Sequence, residues 1–411
     1  MTTLTETAFL PFHRPPLDER EIAAVVDVMR SGWLTTGAKT HEFEKNFAAF
    51  VGAPFALAVN SCTAALHLAL EAIGLKSGDE VLLPTLTFTA TAEVVTYFGA
   101  KPVLVDSEPE YFNIDPDDLS KRLNRRTKAI MPVHFAGHPC EMDDVLEFAK
   151  RNGLAVVEDA AHALPAKYKG RNVGTLSPLT AFSFYASKTL TTGEGGMIVT
   201  DNREHAARMT LMRLHGMSKD AWNRYQQQGS WRYDVVAPGF KYNLTDLQAA
   251  IGLVQLEKAE SLRSERARIA ERYTRGLKDL VGFRVPRVSD DVQHAWHLYV
   301  LVMSPKTLCI GRDEVIEELG KRGIGCSVHF IPLHLHSYYK RTWGYVRGQF
   351  PVAEEYFNGC ISLPIYPAMT DSEVDRTVEA IQDVSLKYRR VSRATQGISI
   401  KRHPLRPRSR A

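Results

Sequence analysis

Short apolar runs followed by helix-patterned stretches constrain most strongly what this chain can fold into. Phe55-Ala-Leu-Ala-Val59 reads as a strand, and the helical run Thr63–Leu70 follows it. Val81-Leu-Leu83, Val103-Leu-Val105, Ala129-Ile-Met131 and Leu154-Ala-Val-Val157 are further runs suited to buried strands, with helical Met142–Arg151 between the last two. Repeated strand-then-helix units predict an α/β fold: a large, mostly parallel sheet with helices on both faces. Phe182-Ser-Phe184 and Met197-Ile-Val-Thr200 add two strands. A first helix carries Ile22, Val25, Val26 and Met29 at i, i+3, i+4, i+7, and Ser31-Gly32 ends it. A long helix starts at the capping box Thr245-Asp-Leu-Gln248, with Leu247, Ala250, Ile251 and Val254 as its apolar stripe. Residues 1–245 are thus expected to form a large domain and 246–275 a linking helix. Residues 276–386 form a smaller C-terminal α/β domain, with strands near 296–303 and 325–330 and helices near 313–321 and 372–385.

Composition narrows the function class. A chain of 411 residues with 44% hydrophobic and 24% charged content is ordinary for a globular protein and long enough for a sizeable core. No apolar run approaches the ~20 residues of a membrane span, and the N-terminus lacks a secretory pattern. The five cysteines are scattered, with neither a metal-ligand spacing nor a disulfide framework, so a reducing cytoplasm and no metal site are expected. The net charge of +4 hides an uneven distribution. From Ser385 onward there are nine Lys or Arg and no acid, leaving the remainder at −5. The basic segment 387–411 is poor in core-forming residues and is expected to be disordered. Nothing resembles a nucleic-acid recognition motif.

Chemistry concentrates at strand ends. Lys188 lies in Phe182-Ser-Phe-Tyr-Ala-Ser-Lys188, just before Gly193-Glu-Gly-Gly196. Asp159 closes the strand in Val156-Val-Glu-Asp159-Ala-Ala-His162. A lysine on a glycine-flanked turn and an aspartate at a strand end are what pyridoxal phosphate (PLP) chemistry needs: one amine for a Schiff base, one carboxylate to keep the pyridine nitrogen protonated. Asn60-Ser-Cys-Thr63 sits between a strand and a helix, where backbone N–H groups suit a phosphate. Phe88, at another strand end, can stack on a ring, His162 is near enough to serve the same ligand, and Ser183 can point to the phosphate. Taken singly, each reads more readily as a cap, a core aromatic or a structural histidine. Their order along the chain is what gives them weight.

From Pro11 to Val384 the chain resembles the DegT-type nucleotide-sugar aminotransferases, PLP enzymes of aspartate-aminotransferase-like fold (fold type I). Carrying the resemblance are Ser31-Gly-Trp-Leu-Thr-Thr-Gly37, Asn60-Ser-Cys-Thr-Ala-Ala-Leu66, Pro132-Val-His-Phe-Ala-Gly137, Glu158-Asp-Ala-Ala-His162, the Lys188 segment with its glycines, Lys241-Tyr-Asn-Leu244 and Val328-His-Phe330. It implies Lys188 as the Schiff-base lysine, Asp159 on the pyridine nitrogen, His162 near the ring hydroxyl and Phe88 stacked on the ring. Cys62, Thr63 and Ser183 would hold the phosphate, with Asn243 reaching it from a second subunit, so the resemblance also implies a homodimer with shared sites. Cys62 stands where the family often has Gly or Ala, and His162 where many members have Gln. Trp33, Thr35 and His329 are the expected contacts to the sugar substrate. The implied reaction moves the amino group of glutamate, leaving 2-oxoglutarate, onto a keto-sugar nucleotide in the synthesis of polysaccharide or lipopolysaccharide amino sugars. Within the family the pattern is nearest the UDP-4-amino-4-deoxy-L-arabinose–oxoglutarate branch, which acts on a UDP-4-keto-pentose; a 4-keto-6-deoxyhexose nucleotide is the alternative substrate.

Three other classes fit less well. A sugar dehydratase of this fold replaces the lysine by histidine. A PLP-dependent regulator needs a DNA-binding module, for which the residues before the first helix are too few. A silent binding protein would lose Lys188 or Asp159, and both are present.

Overall fold

The structure is a computed structural model that describes residues 8–218 and 232–390; most of the basic tail lies outside the described residues. After α1 (Glu19–Ser31) and α2 (Ala38–Val51), strand-then-helix units build the large sheet: β1 (Phe55–Val59), α3 (Cys62–Ala72), β2 (Glu80–Pro84), α4 (Thr89–Thr96), β3 (Lys101–Val105), α5 (Pro116–Arg122), β4 (Thr127–Ile130), α6 (Met142–Asn152) and β5 (Ala155–Asp159). A small hairpin, β6 (Lys167–Tyr168) and β7 (Arg171–Asn172), precedes β8 (Leu179–Ser183), β9 (Gly196–Thr200) and α7 (Arg203–Met212).

Seven strands pair in the order β1-β9-β8-β5-β4-β2-β3. All neighbours are parallel except β9, which runs antiparallel to both β1 and β8. The β8–β9 connection is therefore a hairpin-like excursion, and it carries Lys188. Buried clusters cover both faces of the sheet, one around Leu66, Leu70 and Leu83 and the other around Phe43, Phe47 and Phe182.

Helix α8 (Asp246–Leu277) then leads to a second sheet of β10 (Phe283–Arg284), β12 (Tyr299–Met303) and β13 (Cys360–Leu363), while the short β11 (Val292–Gln293) pairs with β6. Helices α9 (Arg312–Lys321), α10 (Ser337–Trp343), α11 (Pro351–Gly359) and α12 (Asp371–Lys387) complete this part. Among the described residues no helix is long and apolar enough to cross a membrane.

Three local expectations are corrected. The run 325–330 is not a strand: it makes only a bridge between Ser327 and Ser362, then leaves the sheet so that His329 and Phe330 reach the cleft. On α1, Ile22 and Met29 are 55% and 62% exposed, while Glu21 and Val28 are buried. The cause is Glu21, which accepts from Gln255 Nε2 at 2.7 Å and pairs with Lys258, so α1 turns its acid rather than its apolar stripe to α8. On α8 the buried positions of the first turns include Ala249, Gly252, Gln255, Leu256 and Ala259; of the predicted stripe only Ala250 joins them.

Candidate active site

The carboxyl ends of β2, β5 and β8 and the start of α3 open onto a cavity of about 470 Å³. That is within the range of small-molecule sites in general. Cys62, Thr63, Phe88, Asp159, His162, Ser183, Lys188 and His329 all line it. Thr87, Tyr185, Ser187, His297 and Phe330, which the sequence reading passed over, line it too.

At the start of α3, Ser61 is the N-cap, its Oγ accepting from Ala64 N at 3.1 Å. Cys62 and Thr63, the first residues of the helix, line the cavity, and N–H groups at a helix start have no partner within the helix. Nearby, Gly196 presses so closely that a Cβ there would meet the Ser61 carbonyl carbon at 2.5 Å and Cys62 N at 2.7 Å. Only glycine permits this close approach of β9 to the phosphate-type loop. The donor set, the helix start and the adjacent hydroxyls fit the phosphate of PLP.

Asp159 is 5% exposed. Its Oδ2 accepts from Thr91 Oγ1 at 2.8 Å and its Oδ1 from Ala161 N at 3.1 Å. Burial nevertheless raises its pKa, against those donors and the charge of Lys188. A carboxylate whose burial outweighs the donors and positive charges around it suits a protonated pyridine nitrogen, which would supply the missing charge. Thr91 is held in turn by Thr87, the hydroxyls 2.7 Å apart.

Lys188 sits in a turn closed by its own N–H to Tyr185 O at 2.9 Å. Burial lowers its pKa to about 8, with Cys62 and Asp159 pulling the other way. The amine is therefore far closer to neutral at working pH than a surface lysine. Burial also holds His162 and His297 well below the ordinary histidine range, and His329 at about 4. The rings of His162 and His297 lie 4.3 Å apart, and the Nδ1 of each is buried without a hydrogen-bond partner. His162 itself lines the cavity. Phe88, 59% exposed despite its size, offers its ring to the cavity beside Phe330.

Trp33, Thr35 and Asn243 do not line this chain's cavity. They belong to a cluster at the start of α8. Trp33 Nε1 donates to Thr36 O at 3.1 Å, Thr35 O accepts from Asp246 N at 3.3 Å, and Asn243 Nδ2 donates to Thr36 Oγ1 at 2.8 Å. The buried Asp246 carboxylate fixes the loop by accepting from Gly37 N and Thr40 N at 2.8 and 2.9 Å.

Comparison with known proteins gives a consistent result. The family model for the DegT/DnrJ/EryC1/StrS aminotransferases matches residues 15–382. The spore coat polysaccharide biosynthesis protein SpsC of Bacillus subtilis is 49% identical over 377 residues, which is 92% of this chain and 97% of SpsC. Among solved structures, Spr1654 of Streptococcus pneumoniae, described as a sugar aminotransferase and solved in its PMP-form, has a TM-score of 0.87 at 37% identity, covering 92% of this chain and 99% of that one. PseC of Helicobacter pylori, an aminotransferase involved in pseudoaminic acid biosynthesis, has a TM-score of 0.86 at 31% identity, covering 93% and 100% of the two chains.

Proposed function

The chain belongs to the DegT/DnrJ/EryC1/StrS aminotransferase family and is a PLP-dependent sugar aminotransferase, and we propose that it moves the amino group of glutamate onto carbon four of a UDP-linked 4-keto-pentose. The observation that carries the reading is the convergence of Lys188 and Asp159 on one cavity that opens at the N-terminus of α3. A surface polysaccharide is a fitting destination for the product, as the name of SpsC says of that relative.

When bound, PLP supplies a carbonyl that exchanges amines and a ring that accepts electrons. The protein's residues do the rest. Asp159 holds the ring nitrogen protonated. The N–H groups of Cys62 and Thr63, with the Thr63 and Ser183 hydroxyls, bind the phosphate. Phe88 covers one ring face and His162 serves the ring hydroxyl. Lys188 would hold PLP through its Nζ and, with that amine free, would hold and move the proton of the reaction as base and acid. Its pKa of about 8 suits both roles. Glutamate leaves as 2-oxoglutarate, and the keto sugar takes the amine by the reverse steps, which gives ping-pong kinetics.

Trp33, Thr35 and Asn243 act in trans in this reading, completing the cavity of a second copy of the chain. Their cluster lies outside their own cavity, and the exposed Ile22 and Met29 on α1 offer apolar surface for such a pairing. Two experiments test the assignment. Borohydride reduction and peptide mapping should find the cofactor on Lys188, and a label elsewhere overturns that role. Assay of a panel of keto-sugar nucleotides with glutamate should favour the UDP-4-keto-pentose; preference for a 4-keto-6-deoxyhexose nucleotide overturns the substrate.

A further inference from the structure

The segment before α1 touches both halves of the site, although the reaction as described uses none of it. Leu10 pairs with Ile324 in the C-terminal part: Leu10 N donates to Gly323 O, and Gly325 N to Leu10 O, each at 2.8 Å. The contact is tight, since a Cβ on Gly325 would meet Phe12 N at 3.0 Å and Leu10 O at 3.1 Å. Two residues on, Phe12 stacks on His329, with ring centroids 5.5 Å apart and 27° between the planes. His13 then crosses to the large sheet's side, its Nε2 lying 3.1 Å from Ala186 O in the Lys188 turn.

A carbonyl only accepts, so Nε2 carries the hydrogen of this bond. Burial and the Arg266 guanidinium lower the His13 pKa to about 4, so the ring is neutral at pH 7. Its single N–H is therefore committed to Ala186. Tyr366 packs edge-on against the same ring, with centroids 6.3 Å apart. Further along, Pro16 O accepts from Gln255 Nε2 at 2.9 Å, and Gln255 Oε1 accepts from Thr191 N at the far end of the lysine turn at 3.5 Å. The turn is thus gripped at both ends by one short stretch of chain and the glutamine bound to it.

We propose that Leu10–His13 is a brace that holds the Lys188 turn and the His329 ring in register, with His13 a positioning residue for Lys188. The inference rests on Lys188 being the cofactor-bearing lysine. The need for a brace is chemical. Lys188 must reach two carbons in turn, and a misplacement of about 1 Å can cost ~10²-fold in rate. Yet its turn is exposed at Tyr185 and Ala186. Without His13, the Ala186 carbonyl has water as its alternative partner and the turn loses a fixed point. Phe12 does the matching task on the other side, where the His329 Nδ1 is already paired with Ser362 Oγ at 2.9 Å.

The test uses the PLP-loaded full chain with His13→Ala and His13→Gln. Three quantities are read: the pH midpoint of the cofactor's visible absorbance, the single-turnover rate with glutamate, and the melting temperature. His13→Ala should move the midpoint and slow the single turnover about tenfold, consistent with loss of part of the positioning, while the melting temperature stays within a few degrees. His13→Gln, whose amide can donate to Ala186 O, should recover most of both losses. An unchanged midpoint with a rate within twofold of wild type overturns the proposal, as does a Gln variant as impaired as Ala. Should His13→Ala fail to fold, His13→Phe, which keeps bulk and removes the donor, replaces it under the same criteria. Borohydride labelling of the wild type at Lys188 separates failure of the brace from failure of the lysine assignment.

Discussion

Asp159→Asn separates the chemistry of this carboxylate from its structural role. The two oxygens of Asp159 accept from Thr91 Oγ1 and Ala161 N. An asparagine can keep its oxygen toward Ala161 N–H and place its NH₂ against Thr91, whose hydroxyl can reverse and donate to Thr87, 2.7 Å away. The hydrogen-bond network therefore survives the change. The charge does not. Burial raises the Asp159 pKa above its unfolded value, so in the cofactor-free protein stability is lost as pH rises from the unfolded toward the folded pKa, and at neutral pH the ionised group is a net cost. The cofactor-free variant should consequently melt at the same temperature as wild type or higher. Turnover should fall ~10²-fold or more, about 2.7 kcal/mol of barrier, the scale of losing one preorganised electrostatic partner. Differential scanning calorimetry of the cofactor-free proteins and steady-state assay of the loaded ones measure the two effects. Turnover within a few-fold of wild type would refute the role given to Asp159, and a large loss of melting temperature would refute the claim that the network tolerates the amide.

Further outcomes follow from the same geometry. Reconstitution of cofactor-free protein with PLP requires the neutral Lys188 amine, so its rate should rise with pH through about 8 and level off above; a midpoint near that of a free lysine would contradict the burial of this amine. Asn243→Ala should weaken PLP retention without lowering the melting temperature by more than a few degrees, and wild-type retention in a dimer would remove Asn243 from the shared site. His329→Ala should raise KM for the keto-sugar nucleotide while sparing the glutamate half-reaction; equal damage to both, measured by stopped flow, counts against a sugar contact.

Much of the fold was legible because buried parallel strands are written as unbroken apolar runs. Phe55–Val59 is identical in sequence and structure, and the Thr245 capping box opens α8 as its spacing predicts. Helix faces were less legible. An apolar stripe predicts burial only where the partner surface is apolar, and α1 meets α8 through Glu21, Gln255 and Lys258 instead. The run 325–330 looked like a strand because its residues suit one. Whether a backbone stays in a sheet depends on long-range pairing, and here pairing stops at Ser327. The residues that share the cavity were legible from their position at strand ends, where an open α/β sheet places its ligands. Thr91, His297 and His13 were not: a threonine one helical turn from a phenylalanine, a histidine in His294-Ala-Trp-His297 and a histidine among N-terminal prolines carry no local signal of the atoms they will meet.

Desolvation, more than proximity of charges, sets the state of this site. It is the largest influence on Lys188, Asp159, His162, His297 and His329 alike, lowering the bases and raising the acid. Each shift moves its group toward neutrality, so the polar walls of the cavity are poised rather than paired. In the proposed reading PLP would bring opposite charges to these walls: a protonated ring for Asp159 and a phosphate for the start of α3. The burial that disfavours the Asp159 charge in the cofactor-free chain thus favours a cationic partner there, and in the proposed reading it would leave the Lys188 amine a usable base.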